Sequence, residues 1–192
     1  MLRNRLMAGL AVLALLGTIV GCGGDTGESP EATSTFTLDG YVTVDAYHYD
    51  EATGTYVQFY HDEGSNVITT IGKTFIEEHL GIGGASYDDP AKWISLSNDG
   101  SSSAAWTKLP VELDNTNGLG RAEGAYASTS PGVWTITYQF TASVAGGTVQ
   151  TTGLQWLVTL ESDNNLMAAK DFTQVTLASG DKLTVTWTIT LS

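Results

Sequence analysis

Beyond about residue 35 the chain alternates apolar and small polar residues with a period of two, interrupted by clusters of Gly, Asn, Asp and Ser. Such alternation marks strands with one face on a core and the other in water. The clearest run is "KLTVTWTITLS", where Leu183, Val185, Trp187, Ile189 and Leu191 point one way and Thr184, Thr186, Thr188 and Thr190 the other. "VWTITYQFTA" repeats it with Trp134, Ile136, Tyr138 and Phe140 inward, and "GLQWLVTLE" with Leu154, Trp156, Val158 and Leu160. Shorter candidates are "KWISLS", "GRAEGAYAS" and "FTQVTLA", separated by turn-forming stretches such as "SNDGSSS", "DNTNG", "STSPG", "ESDNN" and "ASGD". One segment differs. In "NVITTIGKTFIEEHLG" the positions Ile68, Ile71, Phe75, Ile76 and Leu80 follow helical spacing, with Asn66 as the expected cap and Gly81 at the expected stop. The pattern predicts a mainly β domain over residues 35–192: an antiparallel β-sandwich, Ig-like or jelly-roll-like, with one short α-helix over one end.

Two strands, "YVTVDAYHYD" and "TYVQFYHDE", flank the four-residue loop "EATG", which sets Asp50 opposite Thr55. Unbroken alternation then puts Val42, Val44, Ala46 and His48 on the core side with Val57, Phe59 and His61. The other side carries Tyr41, Tyr47, Tyr49, Tyr56 and Tyr60, among Thr43, Asp45, Gln58 and Asp62. Tyrosines on a wet sheet face offer flat area and a hydroxyl at low entropy cost, so these five form the candidate contact surface. Equally, cross-strand packing of rings is ordinary in sheets.

Ahead of the domain the pattern changes. Arg3 and Arg5 precede an uncharged apolar run from Leu6 to Val20, which reads as an export signal over residues 1–21. At about 15 residues the run is shorter than the roughly 20 a membrane-spanning helix needs. The sequence Ile19-Val20-Gly21-Cys22 resembles the lipobox of prokaryotic lipoproteins, and that resemblance implies a diacylglyceryl group on the Cys22 thiol at the start of the mature chain. Two acyl chains, at about 0.8 kcal/mol per buried CH₂, hold a protein at a membrane without a span. Residues 22–34, "CGGDTGESPEATS", have no large apolar side chain and read as a tether.

Charge narrows the partners. The whole chain carries −13; removing Arg3 and Arg5 from 8 basic residues leaves 6 against 21 acidic ones, near −15. Such a surface repels nucleic acid and anionic headgroups. Cys22 is the only cysteine, so the domain has no internal disulfide.

Catalytic chemistry has no recognisable setting, with no G-x-S-x-G elbow and only three histidines. "YHYDE" and "YHDEG" suggest a metal site, but with His61 opposite Val44 the two imidazoles stand roughly 13 Å apart, too far for one zinc ion. "SYDDP", "SNDGS" and "ESDNN" are oxygen-rich enough for Ca²⁺ but lack EF-hand spacing, so no cofactor is expected.

From Asn66 onward the series "NVITTIGKTFIEEHLG", "AKWISLSNDG", "LPVEL", "NGLGRAEGAYAS", "WTITYQFTA", "GLQW" and "FTQVTLASGDKLTVTWTITLS" resembles a β-sandwich module of tailed-phage tail and fibre proteins and related surface appendages. The resemblance implies a non-enzymatic structural part and brings no catalytic residues. Virion proteins of that kind do not normally carry a lipobox. The combined expectation is an exported lipoprotein, anchored through Cys22 at the prokaryotic surface or in the periplasm, with a structural, adhesive or filament-forming role. Its alternatives are a carbohydrate-binding surface module and a phage-derived virion part. Partners are then the membrane, a second copy, or a surface protein or glycan; in the filament version, residues 35–38 and the strand ending at Ser192 complete a neighbour's sheet edge.

Overall fold

The computed structural model describes residues 37–81, 90–159 and 164–192. Cys22, the export signal and the tether lie outside them. Ten strands and one α-helix follow in the order β1 (Leu38–Asp50), β2 (Thr55–Ser65), β3 (Val67–Ile68), α1 (Thr70–Gly81), β4 (Trp93–Ser97), β5 (Ala122–Glu123), β6 (Ala125–Ser130), β7 (Val133–Thr141), β8 (Gly147–Gln155), β9 (Leu166–Leu177) and β10 (Lys182–Leu191). They build two antiparallel five-stranded sheets, β2-β1-β10-β7-β6 (sheet A) and β3-β9-β8-β4-β5 (sheet B). This is the antiparallel β-sandwich with a short helix that the alternation predicts.

Between the sheets lies one apolar core. From sheet A come Val42, Val44, Ala46, Ile136, Phe140, Leu183, Val185, Trp187 and Ile189; from sheet B come Ile94, Leu96, Val149, Leu154, Phe172, Val175 and Leu177. Each fully buried large aliphatic or aromatic side chain contributes about 1.5–3 kcal/mol relative to exposure. β10 keeps its predicted faces, with Leu183 to Ile189 buried and the threonines half-buried on the outside.

The two ends of the domain meet at the centre of sheet A. β1 and β10 pair from Leu38↔Leu191 to Tyr47↔Lys182, and Thr37 and Ser192 exchange backbone hydrogen bonds of 2.6 and 3.0 Å. β10 also pairs with β7 on its other side. The terminal strand therefore has both edges occupied, which corrects the expectation that it is free to complete a neighbour's sheet. The edges of sheet A are β2 and β6.

Sheet B departs further from simple alternation. β8 is buried on both faces from Thr151 to Gln155, because the excursion 98–113 folds over its outer side: Leu109 reaches over Gly153, and Thr151 and Gln150 bond to the carbonyls of Asp99 and Asn98. Thr151 also shares the Asp171 carboxylate with the Ser102 backbone N–H and hydroxyl. A strand covered on both sides loses its alternation. β8 ends at Gln155, short of the predicted run: Trp156 is buried against Phe75, Val158 is exposed, and Leu160 lies outside the described residues. The same cover holds a buried bidentate ion pair. Arg121 donates to both Glu112 oxygens at 2.7 and 2.6 Å and to the carbonyls of Leu157 and Thr159 at 2.6 and 2.8 Å. "GRAEGAYAS" forms two strands, because the chain crosses from sheet B to sheet A at Gly124, where a Cβ would stand 2.4 Å from Ile136 Cγ2.

The helix starts later than its periodicity predicts. Val67 and Ile68 pair with Ala169 and Ala168, so Ile68 is a strand residue and Asn66 is not the cap. Thr69 caps instead, its hydroxyl accepting from the Gly72 N–H at 2.9 Å and donating to the Leu166 carbonyl. Phe75 stacks on Trp156 with centroids 4.4 Å apart and planes at 10°. Gly72 allows this close approach: a Cβ there would lie 2.1 Å from the Met167 carbonyl oxygen. Gly72→Ala should therefore lift α1 from β9 and cost about 1–3 kcal/mol in urea unfolding, despite alanine's better helix propensity.

Candidate functional site

The hairpin turn forms as predicted. Asp50 pairs with Thr55, and its carboxylate accepts from the Ala52 N–H at 2.9 Å and the Thr53 hydroxyl at 2.8 Å. The Thr53 bond, with the backbone bonds, holds the Asp50 carboxyl below its ordinary pKa. Beyond Gln58 the register changes. Tyr47 pairs with Gln58 but Ala46 with Tyr60, leaving Phe59 as an extra residue in a β-bulge.

That one residue reverses the faces of the remaining strand and corrects the hairpin reading. Tyr60 turns inward, packs at 6.3 Å from Phe172 and donates its hydroxyl to the Thr173 carbonyl at 2.5 Å. Burial, then the Asp62 charge, pushes its phenol pKa well up. Asp62 turns inward with it and meets Lys170 at 3.4 Å. His61, expected on the core side opposite Val44, instead pairs with Asp45 on the wet face and bonds its carboxylate at 2.6 Å. Val57 and Phe59, expected in the core, are about half exposed at 50% and 48%. There the hairpin overhangs the β9–β10 turn, where His48 Nδ1 meets the buried Asp181 at 2.6 Å.

Four of the five predicted tyrosines remain on the outer face. Three of them gather at one end: Tyr49 and Tyr56 face each other across the strands edge-on at 5.3 Å, and Tyr47 lies two residues from Tyr49. Lys182 places its ammonium 3.9 Å from the centre of the Tyr56 ring. Tyr41 sits eight residues from Tyr49 along β1, roughly 27 Å away. Local desolvation, then the neighbouring Glu63, raises its phenol pKa.

Between these ends lies a surface that the tyrosine pattern alone does not reveal. Side by side across β1, β10, β7 and β6 stand Tyr41, Thr188, Thr135 and Ala127, then Thr43, Thr186, Thr137 and Ala125; the next row across β1, β10 and β7 is Asp45, Thr184 and Gln139. Thr137 bonds Thr186 at 3.1 Å and Gln139 bonds Thr184 at 3.0 Å. On β10, β7 and β6 this face is uncharged beyond Lys182, although the chain carries −13. The signal was present in the repeated threonines, which read equally well as ordinary strand formers. A separate apolar groove of about 790 Å³ opens at one end of the sandwich, walled by Leu38, Ile76, Leu80, Tyr126, Trp134 and Leu191.

Among the described residues, no group of three or more His, Cys, Asp or Glu stands close enough to hold a metal ion. Much of two oxygen-rich loops, "SYDDP" and "ESDNN", lies outside those residues. Among the described residues no helix is long and apolar enough to cross a membrane.

The Asp45 bond raises the His61 pKa above its ordinary 6.5, aided by the Asp45, Glu63 and Asp62 charges. A group raised on folding contributes its full stabilisation below 6.5 and loses it as pH climbs through the raised value. NMR titration should find His61 above 6.5, and Asp45→Asn should return it toward that value.

Searches against protein-family models, curated proteins and solved structures gave no match to this chain. The fold is a generic antiparallel β-sandwich of the structural kind, and the likeness to phage tail and fibre modules gains nothing from these searches.

Proposed function

We propose that this chain is an exported, non-enzymatic surface protein, anchored through a lipid on Cys22, whose sandwich serves a structural or adhesive role through the outer face of sheet A. The observation that carries the contact-face reading is the contrast between the sheets. Sheet B has its outer side covered at β8 by the chain's own excursion, whereas sheet A presents an open, hydroxyl-rich face that on β10, β7 and β6 carries no charge beyond Lys182, its acidic residues Asp39, Asp45 and Glu63 standing on β1 and β2. Such a face meets another neutral surface without the desolvation cost of buried charge. The anchor rests on the Arg3/Arg5 start, the apolar run and Ile19-Val20-Gly21-Cys22. A virion role rests on the quoted motifs alone.

A carbohydrate partner is the second reading, favoured by the Tyr47, Tyr49 and Tyr56 end, where the edge-to-face pair of Tyr49 and Tyr56 and the Lys182 ammonium over the Tyr56 ring are gathered.

Intact-mass measurement on chain extracted from its native membrane should show a mature start at Cys22 with diacylglyceryl mass, and Cys22→Ser should move the protein to the soluble fraction. A chain still beginning at Met1 would overturn the anchor. For the face, Thr188→Glu should abolish adherence of cells displaying the protein while leaving thermal unfolding nearly unchanged. Selective loss of glycan-array binding with Tyr47→Ala and Tyr49→Ala would establish the carbohydrate reading.

A further inference from the structure

We infer that β6 is a self-association edge, at which a second copy of this chain adds antiparallel to sheet A and joins the two five-stranded sheets into one.

Exposed sheet edges invite strand addition, and proteins ordinarily blunt them with charge, bulges or short length. Three of the four edges here are blunted. β3 and β5 are two residues long. β2 carries the Phe59 bulge and presents His61, Asp62 and Glu63, while its Asp62 and Tyr60 are tied to β9. β6 has none of these protections from Ala125 to Ser128. Its six residues, "AYASTS", are all exposed and contain no charge and no proline, and its irregularity falls after Ser128, next to the turn.

Charge selects the partner. A two-fold interface sets a patch against its own copy, so on a chain carrying −13 a short strand edge that meets itself is favoured where it is locally neutral. An antiparallel pairing through β2 would oppose Asp62 and Glu63 to their copies, whereas pairing through β6 opposes only Ala, Tyr, Ser and Thr. Side-chain direction supports the same pairing. Ala125 and Ala127 lie on the outer face opposite Thr137 and Thr135, small enough to continue the threonine surface across the joint. Tyr126, opposite the buried Ile136, is on the inner face yet 66% exposed, at the mouth of the apolar groove. Addition of a second β6 places two Tyr126 rings on the groove side of the joined sheet, where each gains apolar cover. The inference stands independently of the contact-face reading; where both hold, pairing doubles that face and adds avidity.

The test is cysteine cross-linking in the full chain, displayed on its own cells. Single cysteines at Ala125, Tyr126, Ala127 and Ser128 are compared with Val57→Cys on the opposite edge, and the parent with Cys22 alone is the background. The expected result is a disulfide-linked species of twice the mass of the mature chain from one or two adjacent β6 positions and none from Val57→Cys or the parent. Hydrogen exchange on the unmutated chain at low and high concentration supplies a readout free of folding defects in the variants: the Ala125–Ser128 amides should slow as concentration rises. No dimer from any β6 cysteine together with concentration-independent exchange in β6 would overturn the inference, as would a dimer formed through Val57→Cys with β6 unprotected. Protection of β6 only by a different protein captured on the cells would replace the second copy with that partner and overturn the self-association.

Discussion

The pairing of the first strand with the last, at the centre of sheet A, is the interaction on which the remaining architecture depends. β1 and β10 run side by side over the whole register from Leu38↔Leu191 to Tyr47↔Lys182, and their inward residues from Val42 to Ala46 and from Leu183 to Ile189 form the middle of the core. With Cys22 as the sole cysteine, no internal disulfide is available, so this zipper and the core beneath it hold the ends of the domain together. The contact is non-local, and its loop-closure cost is recovered only when the other strands are in place. It also decides what remains accessible: with β1 and β10 central, the free edges of sheet A fall to β2 and β6.

The two sheets differ because the chain spends its long excursion on one of them. Residues 98–113 cover β8 and require a buried polar network, in which Asp171 is shared by Thr151 and Ser102 and Arg121 is fixed on Glu112. Sheet A receives no such cover from the described residues. Its outer residues are half-buried threonines and partly exposed tyrosines, which tolerate water and also tolerate contact. The bulge at Phe59 completes the division: it turns Tyr60 and Asp62 toward β9 and returns His61 to the wet side, fastening the edge of sheet A onto sheet B.

The parts legible in the sequence were those where one face is wet. β10 and the middle of β1 show strict alternation because water enforces it on one side, whereas on β7 only Ile136 and Phe140 of the inward residues are buried and Tyr138 is exposed; Asp50 and "EATG" form the turn that their chemistry specifies. Four kinds of feature were hidden. A bulge adds one residue without a compositional mark, so Tyr60 and His61 were assigned to each other's faces. The second half of β8 and the start of β9 are buried on both sides, which erases period two; "LMAAK" carries no polar beat. The Arg121–Glu112 pair joins residues from a loop and a strand approach, and its partners at Leu157 and Thr159 are main-chain carbonyls, which leave no trace in residue type. Thr69 displaced Asn66 as the helix cap because Val67 and Ile68 found strand partners, a tertiary effect that overrides local periodicity.

The claim that the outer face of sheet A is what this protein presents is tested most directly by tyrosine footprinting, on purified protein and on protein in its native envelope. The account predicts that Tyr41, Tyr49 and Tyr56 react in the purified protein while Tyr60 does not, and that the first three become shielded in the envelope. Equal reactivity of Tyr41, Tyr49 and Tyr56 in both settings, with shielding confined to residues on other faces, would contradict it.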